Sequence, residues 1–126
     1  MIKKIIATSQ APSAIGPYSQ AVLAGDTLYC SGQIAINPTD GTLVMTNITE
    51  ETVQVMQNIK AVLNEANMNF GNVVKCSIFM SSMDHYVAIN DVYSKYFAHN
   101  PPAREAVAVK TLPKEVNVEI SVIAVK

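Results

Sequence analysis

The basic side chains of this protein comprise eight lysines and a single arginine, Arg104. A planar guanidinium binds a carboxylate through two parallel hydrogen bonds, whereas the ammonium group of lysine is a point charge without that geometry. Arg104 follows two rigid prolines, and strand alternation places it on one face with Ala106 and Ala108. These small neighbours leave room for a bound anion. A salt bridge at the surface or at an interface is the alternative interpretation.

Glu119 is the second candidate for chemistry. It lies on a predicted strand over 116–125, which follows another predicted strand over 103–109. The short connection between them, around Leu112, favours an antiparallel hairpin that brings Glu119 close to Arg104. A carboxylate at that place can orient water or transfer a proton. Alternatively, Glu119 simply pairs with Arg104 or with a lysine.

The remaining reactive side chains show no spacing typical of a reactive site. His85 and His99 are isolated, so the sequence predicts no zinc centre. Cys30 and Cys76 each stand alone in apolar, strand-like segments, and we expect two reduced, buried thiols of an intracellular protein. The five glycines form no phosphate-binding loop.

The elements that must position these side chains follow from hydrophobic periodicity. Asn47, with Glu50 three residues later, predicts a capped helix that ends near residue 67. The buried stripe predicted for this helix is Val53, Met56, Ile59, Leu63 and Ala66. A second helix is predicted to be capped by Asp84 and to have a buried stripe of Tyr86, Ile89, Tyr93 and Phe97. Strands or extended segments are predicted at 2–6, 18–24, 27–34, 73–80, 103–109 and 116–125. We therefore expect one domain over 1–126, an α+β fold in which two helices cover one face of a mixed sheet.

Composition narrows the class of protein. Of 126 residues, 15% are charged, against roughly 25% in typical soluble domains, and the net charge is −1. The sequence contains no basic patch for nucleic acid, no apolar run of membrane-spanning length, and an amino-terminal apolar stretch too short for a signal peptide. Scarce charge, together with strand faces that mix aromatic, apolar and small polar residues, predicts contact with another subunit. We expect a cytoplasmic oligomer.

Several motifs resemble the RidA family (YjgF-type, also called L-PSP). The segment 11–21, APSAIGPYSQA, is similar to the amino-terminal signature of that family, and 31–34, SGQI, to its second motif. Segments 102–104, 112–114 and 118–120 resemble the carboxy-terminal signature. The matches follow the family order over nearly the whole chain. Asn58, Leu63 and Ala66 fit its first helix and 90–93 its second.

This resemblance implies a chorismate-mutase-like fold and a homotrimer with sites between subunits. It also implies a cofactor-independent deaminase that hydrolyses 2-iminobutanoate and 2-iminopropanoate to 2-keto acids and ammonia. These imines arise from the enamines that PLP-dependent serine and threonine dehydratases release, so a functional link to such an enzyme is expected. Two alternatives stay open: an RNA-directed protein of the endoribonuclease or translation-inhibitor type, and a non-catalytic module that binds carboxylates for regulation.

The resemblance also implies roles for individual residues. Arg104 matches the arginine that binds the substrate carboxylate, and Glu119 matches the acid that positions water. This chain has Glu105 and Ala106 where many members have serine followed by cysteine or threonine, so no cysteine nucleophile is expected, although the backbone carbonyl of Ala106 can still hold water. Glu105 is a possible partner of Arg104 at an interface. The positions expected to line the cleft are Tyr18, from the neighbouring subunit, Ser31, Gly32 and Asn90.

Overall fold

The computed structural model describes residues 2–126, which form one mixed sheet and two α-helices. The six strands are β1 (Lys3–Ile6), β2 (Ala21–Ala24), β3 (Thr27–Gln33), β4 (Val73–Met80), β5 (Ala103–Ala108) and β6 (Val118–Val125). The helices are α1 (Ile48–Glu65) and α2 (Tyr86–Tyr96). The strand order is β1-β2-β3-β6-β4-β5. Every predicted element is present, with bounds shifted by up to three residues.

Both helices pack on the same face of the sheet, as the sequence predicts. The inward side chains of α1 are fully buried and meet alternate residues of β3, β4 and β6 in one apolar core. Val53, predicted to belong to this buried stripe, is instead 39% exposed. No helix in residues 2–126 is long and apolar enough to cross a membrane. The buried residues of α1 are Glu51, Thr52, Val55, Met56, Asn58, Ile59, Val62 and Leu63.

The predicted hairpin between β5 and β6 is wrong. β4 lies between these strands, pairing parallel with β5 and antiparallel with β6. The helix α2 connects β4 to β5, and such a helical crossover carries the chain back to the same end of the sheet, which makes the two strands parallel. The short connection after β5 then crosses over β4 instead of turning back beside β5.

Of the two predicted helix caps, the structure confirms the one at Asn47 and contradicts the one at Asp84. The side chain of Asn47 accepts a hydrogen bond from the backbone N–H of Glu50 at 2.8 Å and begins α1. Asp84 does not cap α2, because a short 3₁₀ turn over Met83–His85 precedes this helix. The hydroxyl of Ser82 caps that turn, accepting from the N–H of Asp84 at 3.1 Å.

Two register shifts break the strict alternation expected from the sequence. One lies between Cys30 and Gln33 in β3, and it leaves the side chain of Gln33 buried where alternation predicts the outer face. The other lies at the start of β4, where Val73 is buried and Val74 is 49% exposed. Bulges of this kind bend a strand and redirect its side chains. The first of them adjoins the predicted site residues of β3.

Both cysteines are free and buried, as predicted. Burial raises the pKa of the Cys30 thiol to about 12. Burial also raises the pKa of Cys76, which lies on β4 beside Arg104. Neither thiol is therefore ionised near neutral pH, and both behave as apolar core side chains.

Candidate functional site

Arg104 lies near the start of the edge strand β5, and its guanidinium reaches α2. Nη1 donates a hydrogen bond to Oδ1 of Asn90 at 2.8 Å, and Nη2 donates to the hydroxyl of Tyr86 at 2.8 Å. Tyr86 and Asn90 are four residues apart, so they lie one turn apart on the same side of the helix. Two side chains of one helix face therefore hold the two terminal nitrogens of the guanidinium.

Aromatic rings complete the surroundings of Arg104. The guanidinium carbon lies 4.9 Å from the ring centre of Tyr93 and 5.7 Å from that of Tyr86. Cation–π attraction stabilises a guanidinium at these distances without cancelling its charge. The hydroxyl of Tyr93 is buried and has no hydrogen-bond partner within residues 2–126. Burial also raises its pKa, so this phenol stays protonated.

No carboxylate in the described part of the chain neutralises Arg104. The ion pair found there joins Lys75 and Glu105 at 2.8 Å, and the hydroxyl of Ser77 also donates to the Glu105 carboxylate. These two hydrogen bonds, with that of Lys75 the stronger, hold the pKa of Glu105 below its usual range. Glu105 points to the opposite side of β5 and does not meet Arg104 within the chain. The positive charge of Arg104 is thus available to an anion.

A cavity of about 330 Å³ adjoins the guanidinium. Its walls combine the polar groups of Arg104 and Asn90 with apolar rings, a composition common in small-molecule sites. The volume suits a small organic acid. The lining residues are Asn90, Tyr93, Ser94, Phe97, Pro101, Pro102 and Arg104.

Glu119 lies on β6 with its side chain packed over the backbone of Gly32. A Cβ atom added to Gly32 would lie 2.8 Å from Cδ of Glu119 and 2.9 Å from its Oε2. Real side chains do not tolerate such distances, so glycine is required at this place for Glu119 to keep its position. Glu119 is half-buried, and this burial raises the pKa of its carboxyl group.

A second cavity, of about 520 Å³, contains Glu119. Ser31 and Gly32 of the bulged end of β3 line it, and Tyr18 from the preceding loop lies at its rim, 55% exposed. The hydroxyl of Ser31 donates to the carbonyl of Ser19 at 2.6 Å, tying that loop to the strand. Most of the cavity wall thus comes from the segments that resemble family motifs.

A buried glutamine shapes the loop on one side of this cavity. Nε2 of Gln20, which is 4% exposed, donates to the carbonyls of Thr8 and Pro12 at 3.0 and 2.7 Å. Its Oε1 accepts from the N–H of Thr8 at 2.6 Å. On the other side, Nδ2 of Asn58 donates to the carbonyls of residues 34 and 36, each at 3.0 Å. Buried amides therefore satisfy the loop backbone and keep the cavity open.

The residues predicted for one site fall into two groups on opposite faces of the sheet. Arg104 pairs in register with Cys76, whose side chain faces the helices, whereas Glu119 pairs with Phe79, whose side chain faces away. Residues in register share a face of the sheet. We call Arg104, Asn90, Tyr86 and Tyr93 the arginine half-site, and Glu119, Gly32, Ser31 and Tyr18 the glutamate half-site.

Ala106 lines neither cavity. It pairs with Ile78 on the helix side of β5 and packs against the core. Tyr86 and Tyr93, in contrast, contact Arg104 although the sequence predicts them only as core residues of α2. Tyr86 lies four residues before Asn90 and Tyr93 three residues after it, so all three side chains lie along one side of α2. This asparagine between two tyrosines is the sequence feature that could have predicted a polar contact here.

Comparison with known proteins finds relatives that match over nearly the whole chain. The profile of the endoribonuclease L-PSP family matches residues 8–126. The 2-iminobutanoate/2-iminopropanoate deaminase of Capra hircus is 45% identical over 126 residues, covering 100% of this chain and 92% of the relative. The solved structure of a Rid-family protein from Yersinia pestis matches with a TM-score of 0.97 at 47% identity, covering 99% and 100% of the two chains. The E. coli TdcF structure with bound serine matches with a TM-score of 0.93 at 36% identity, covering 98% of each chain. Other relatives are named RutC family proteins.

Replacing Gly32 by alanine is expected to push the Glu119 side chain toward solvent, because the new methyl group needs the space of the carboxyl group. The pKa of Glu119 then falls toward its ordinary value, as its carboxylate regains water. A ¹³C NMR titration of the Glu119 carboxyl carbon measures this shift. Gly41→Ala is the control: Gly41 has a φ of +76°, so its backbone is strained by a side chain, but the added Cβ meets nothing within 4 Å. An unchanged Glu119 titration in Gly32→Ala would contradict the packing described above.

Proposed function

The chain belongs to the Rid family, also called L-PSP, and from this premise we propose that it hydrolyses 2-iminobutanoate and 2-iminopropanoate to the corresponding 2-keto acids and ammonia. Mammalian relatives that are 41–45% identical to this chain are named for that activity. The activity requires a site that binds a small carboxylate and delivers water to a C=N carbon.

The observation that carries the proposal is the un-neutralised guanidinium of Arg104. Its two terminal nitrogens are held by the neutral oxygens of Asn90 and Tyr86, both at 2.8 Å. Neutral acceptors orient the cation while leaving its charge for a ligand. A 2-imino acid offers one carboxylate next to its reactive carbon, so binding that carboxylate also fixes the carbon. The bound serine of the related TdcF structure is likewise a small 2-substituted carboxylate.

We further propose a homotrimer in which the arginine half-site of one protomer meets the glutamate half-site of its neighbour. The sheet separates these half-sites within one protomer, so two copies are needed to bring Arg104 and Glu119 to one substrate. Apolar side chains exposed on the helix-free face support such an assembly. Tyr29 is 52% exposed there and Val107 is 43% exposed. Tyr18 then enters the site from the same protomer as Glu119.

In the proposed reaction, Glu119 acts as the general base. Its carboxylate takes a proton from water while the hydroxyl oxygen adds to the C=N carbon, and Glu119 passes that proton to the imine nitrogen, which gives a neutral adduct with one hydroxyl and one amino group. The carboxylate of Glu119 then takes the proton of this hydroxyl group and delivers it to the amino nitrogen as the C–N bond breaks, so that the C=O bond of the keto acid forms and ammonia leaves. Water and imine are fully consumed in this balance, so no cofactor is required. The backbone carbonyl of Ala106 stays a proposed acceptor for the water.

The substrate places the protein after an enzyme that eliminates water from serine or threonine. Such PLP-dependent dehydratases release enamines, which tautomerise to the imines. This functional partnership and a cytoplasmic location are parts of the proposal. An RNA-directed role, which the family name endoribonuclease L-PSP suggests, gains no support from the sequence: the net charge is −1, and the sequence has no run of more than two basic residues to bind phosphates.

Arg104→Lys is expected to lower kcat/KM for 2-iminopropanoate by about 10- to 150-fold, because losing the bidentate contact to the carboxylate removes about 1.5–3 kcal/mol. The substrate is generated in situ by a serine dehydratase, and keto-acid release is followed with and without the variant. Lys110→Arg, the reverse exchange at an exposed position beyond β5, is the control and keeps full activity. Wild-type turnover in Arg104→Lys would refute the assigned role.

Glu119→Gln is expected to lose about 10²- to 10⁴-fold in kcat, as is typical when a general base is removed, while keeping its affinity for a keto acid. In the wild type, kcat falls as the pH drops through the raised pKa of Glu119, because only the ionised carboxylate accepts the proton of water. This acid limb is absent in Glu119→Gln. Glu65→Gln, an exposed exchange on α1, retains the limb. A non-catalytic binder would show no turnover in the wild type and equal affinity in both proteins.

Mixing the two impaired variants tests the arrangement of the half-sites. Arg104→Lys and Glu119→Gln chains, unfolded together and refolded in equal amounts, should recover about one quarter of wild-type activity, since that fraction of interfaces joins an intact arginine to an intact glutamate in a symmetric ring. Each variant refolded alone keeps only its own low activity. If the mixture is no more active than the separate variants, both groups act within one protomer and the proposed interface site is wrong.

A further inference from the structure

Glu51 is a buried carboxylate that the proposed reaction does not use. It lies in the first turn of α1 and is 0% exposed. No cation of residues 2–126 forms an ion pair with it. Ionisable side chains are almost never fully buried unless specific groups bind them. The contacts of Glu51 therefore have to explain why it lies in the core.

Both oxygens of Glu51 bind one residue, Asn117. Oε2 accepts the backbone N–H of Asn117 at 2.8 Å, and Oε1 accepts its side-chain Nδ2 at 3.0 Å. Asn117 in turn contacts Ser81 at the end of β4: the Ser81 hydroxyl donates to Oδ1 at 2.9 Å, and the Ser81 N–H donates to the backbone carbonyl at 3.0 Å. The residue just before β6 is thus bound from α1 and from β4.

The segment before Asn117 has a strained backbone. Lys114 and Glu115 are consecutive non-glycine residues with φ of 55° and 56°, in the left-handed region that disfavours side chains. Pro113 and Lys114 line the cavity that contains Glu119. Strained backbone persists where surrounding contacts hold it, often beside a functional site. The contacts of Glu51 lie immediately after this strained turn and two residues before Glu119.

We propose that Glu51 is a positioning residue: by binding Asn117, it holds the strained turn over 113–115 and the start of β6 in place, and so fixes Glu119 in the glutamate half-site. This inference rests on the proposed function, because it assigns Glu51 to the geometry of that reaction. This role requires the two hydrogen bonds between the side chain of residue 51 and Asn117, and it does not require the negative charge of Glu51. A glutamine would accept the backbone N–H through its amide oxygen. If the side-chain amide of Asn117 rotates by about 180°, its Oδ1 accepts a hydrogen bond from the NH₂ of this glutamine. The NH₂ of Asn117 then donates to the Ser81 hydroxyl, which serves as an acceptor.

The test compares Glu51→Ala, Glu51→Gln and the control Thr52→Ala. Thr52 is the next residue, is also 0% exposed, and hydrogen-bonds only the carbonyl of Ile48 within α1. Glu51→Ala should lower kcat about tenfold or more, since a misplacement near 1 Å can cost up to about 100-fold. Its KM should stay within about twofold, because the arginine half-site is untouched. Glu51→Gln should restore kcat, and Thr52→Ala should leave kcat unchanged at a temperature where all variants are folded.

A second readout does not depend on turnover. The ¹³C titration of the Glu119 carboxyl carbon should show a pKa nearer the ordinary value in Glu51→Ala, and the wild-type pKa in Glu51→Gln and Thr52→Ala. If the wild type releases no ammonia, the proposed function fails, while this titration still decides the positioning role. If Glu51→Ala does not fold, Asn117→Ala should shift the titration in the same direction, because it removes the Nδ2 donor to Glu51 and the Oδ1 acceptor of Ser81 while keeping the backbone N–H.

Folded Glu51→Ala with the wild-type kcat and Glu119 titration would overturn the inference. An equal loss of kcat in Thr52→Ala would also overturn it, since the effect would then belong to the general packing of α1. Failure of glutamine to restore the Glu119 titration would do the same, because the proposed role depends on hydrogen-bond geometry alone.

Discussion

The guanidinium of Arg104 depends on neutral oxygens for its position, and this constraint governs the arrangement of the edge of the sheet. An amide oxygen and a phenol hydroxyl bind the cation at 2.8 Å without neutralising it. A carboxylate at either position would bind more tightly and would compete with any anionic ligand. The arrangement requires α2 to lie against β5, which the β4–α2–β5 crossover provides by leaving β5 at the edge beneath the helix.

Glu119 depends on a different constraint, namely the absence of a side chain at Gly32. The carboxyl group occupies the space that a Cβ would fill, and its partial burial raises its pKa. Buried amides hold the loops around it, and Glu51 binds the residue that leads into its strand. Different sets of contacts therefore position the Arg104 guanidinium and the Glu119 carboxylate, on opposite faces of one sheet.

Much of this fold follows from the sequence because periodicity reports which side chains are buried. The Asn47 cap, the helix stripes and the limits of β4 were predictable for that reason. Strand pairing was not, since a short connection between β5 and β6 is equally compatible with a crossover past β4. The bulge at residues 31–32 also escaped prediction, because alternation is a local pattern and a register shift depends on the neighbouring strand. The sequence predicts Tyr86 only as a core residue, because a tyrosine ring can pack in the core while its hydroxyl binds elsewhere.

The placement of the two half-sites on opposite faces has a consequence for the cell. In the proposed assembly, a chain that folds correctly but finds no copies of itself has no complete reaction centre, so activity depends on concentration through mass action. A chain with a substitution in each half-site also impairs the sites that it shares with two neighbouring protomers. One of these sites lacks its arginine, and the other lacks its glutamate. A doubly defective chain in a mixed assembly is therefore expected to inactivate two sites, because the sheet places its two half-sites at two different interfaces.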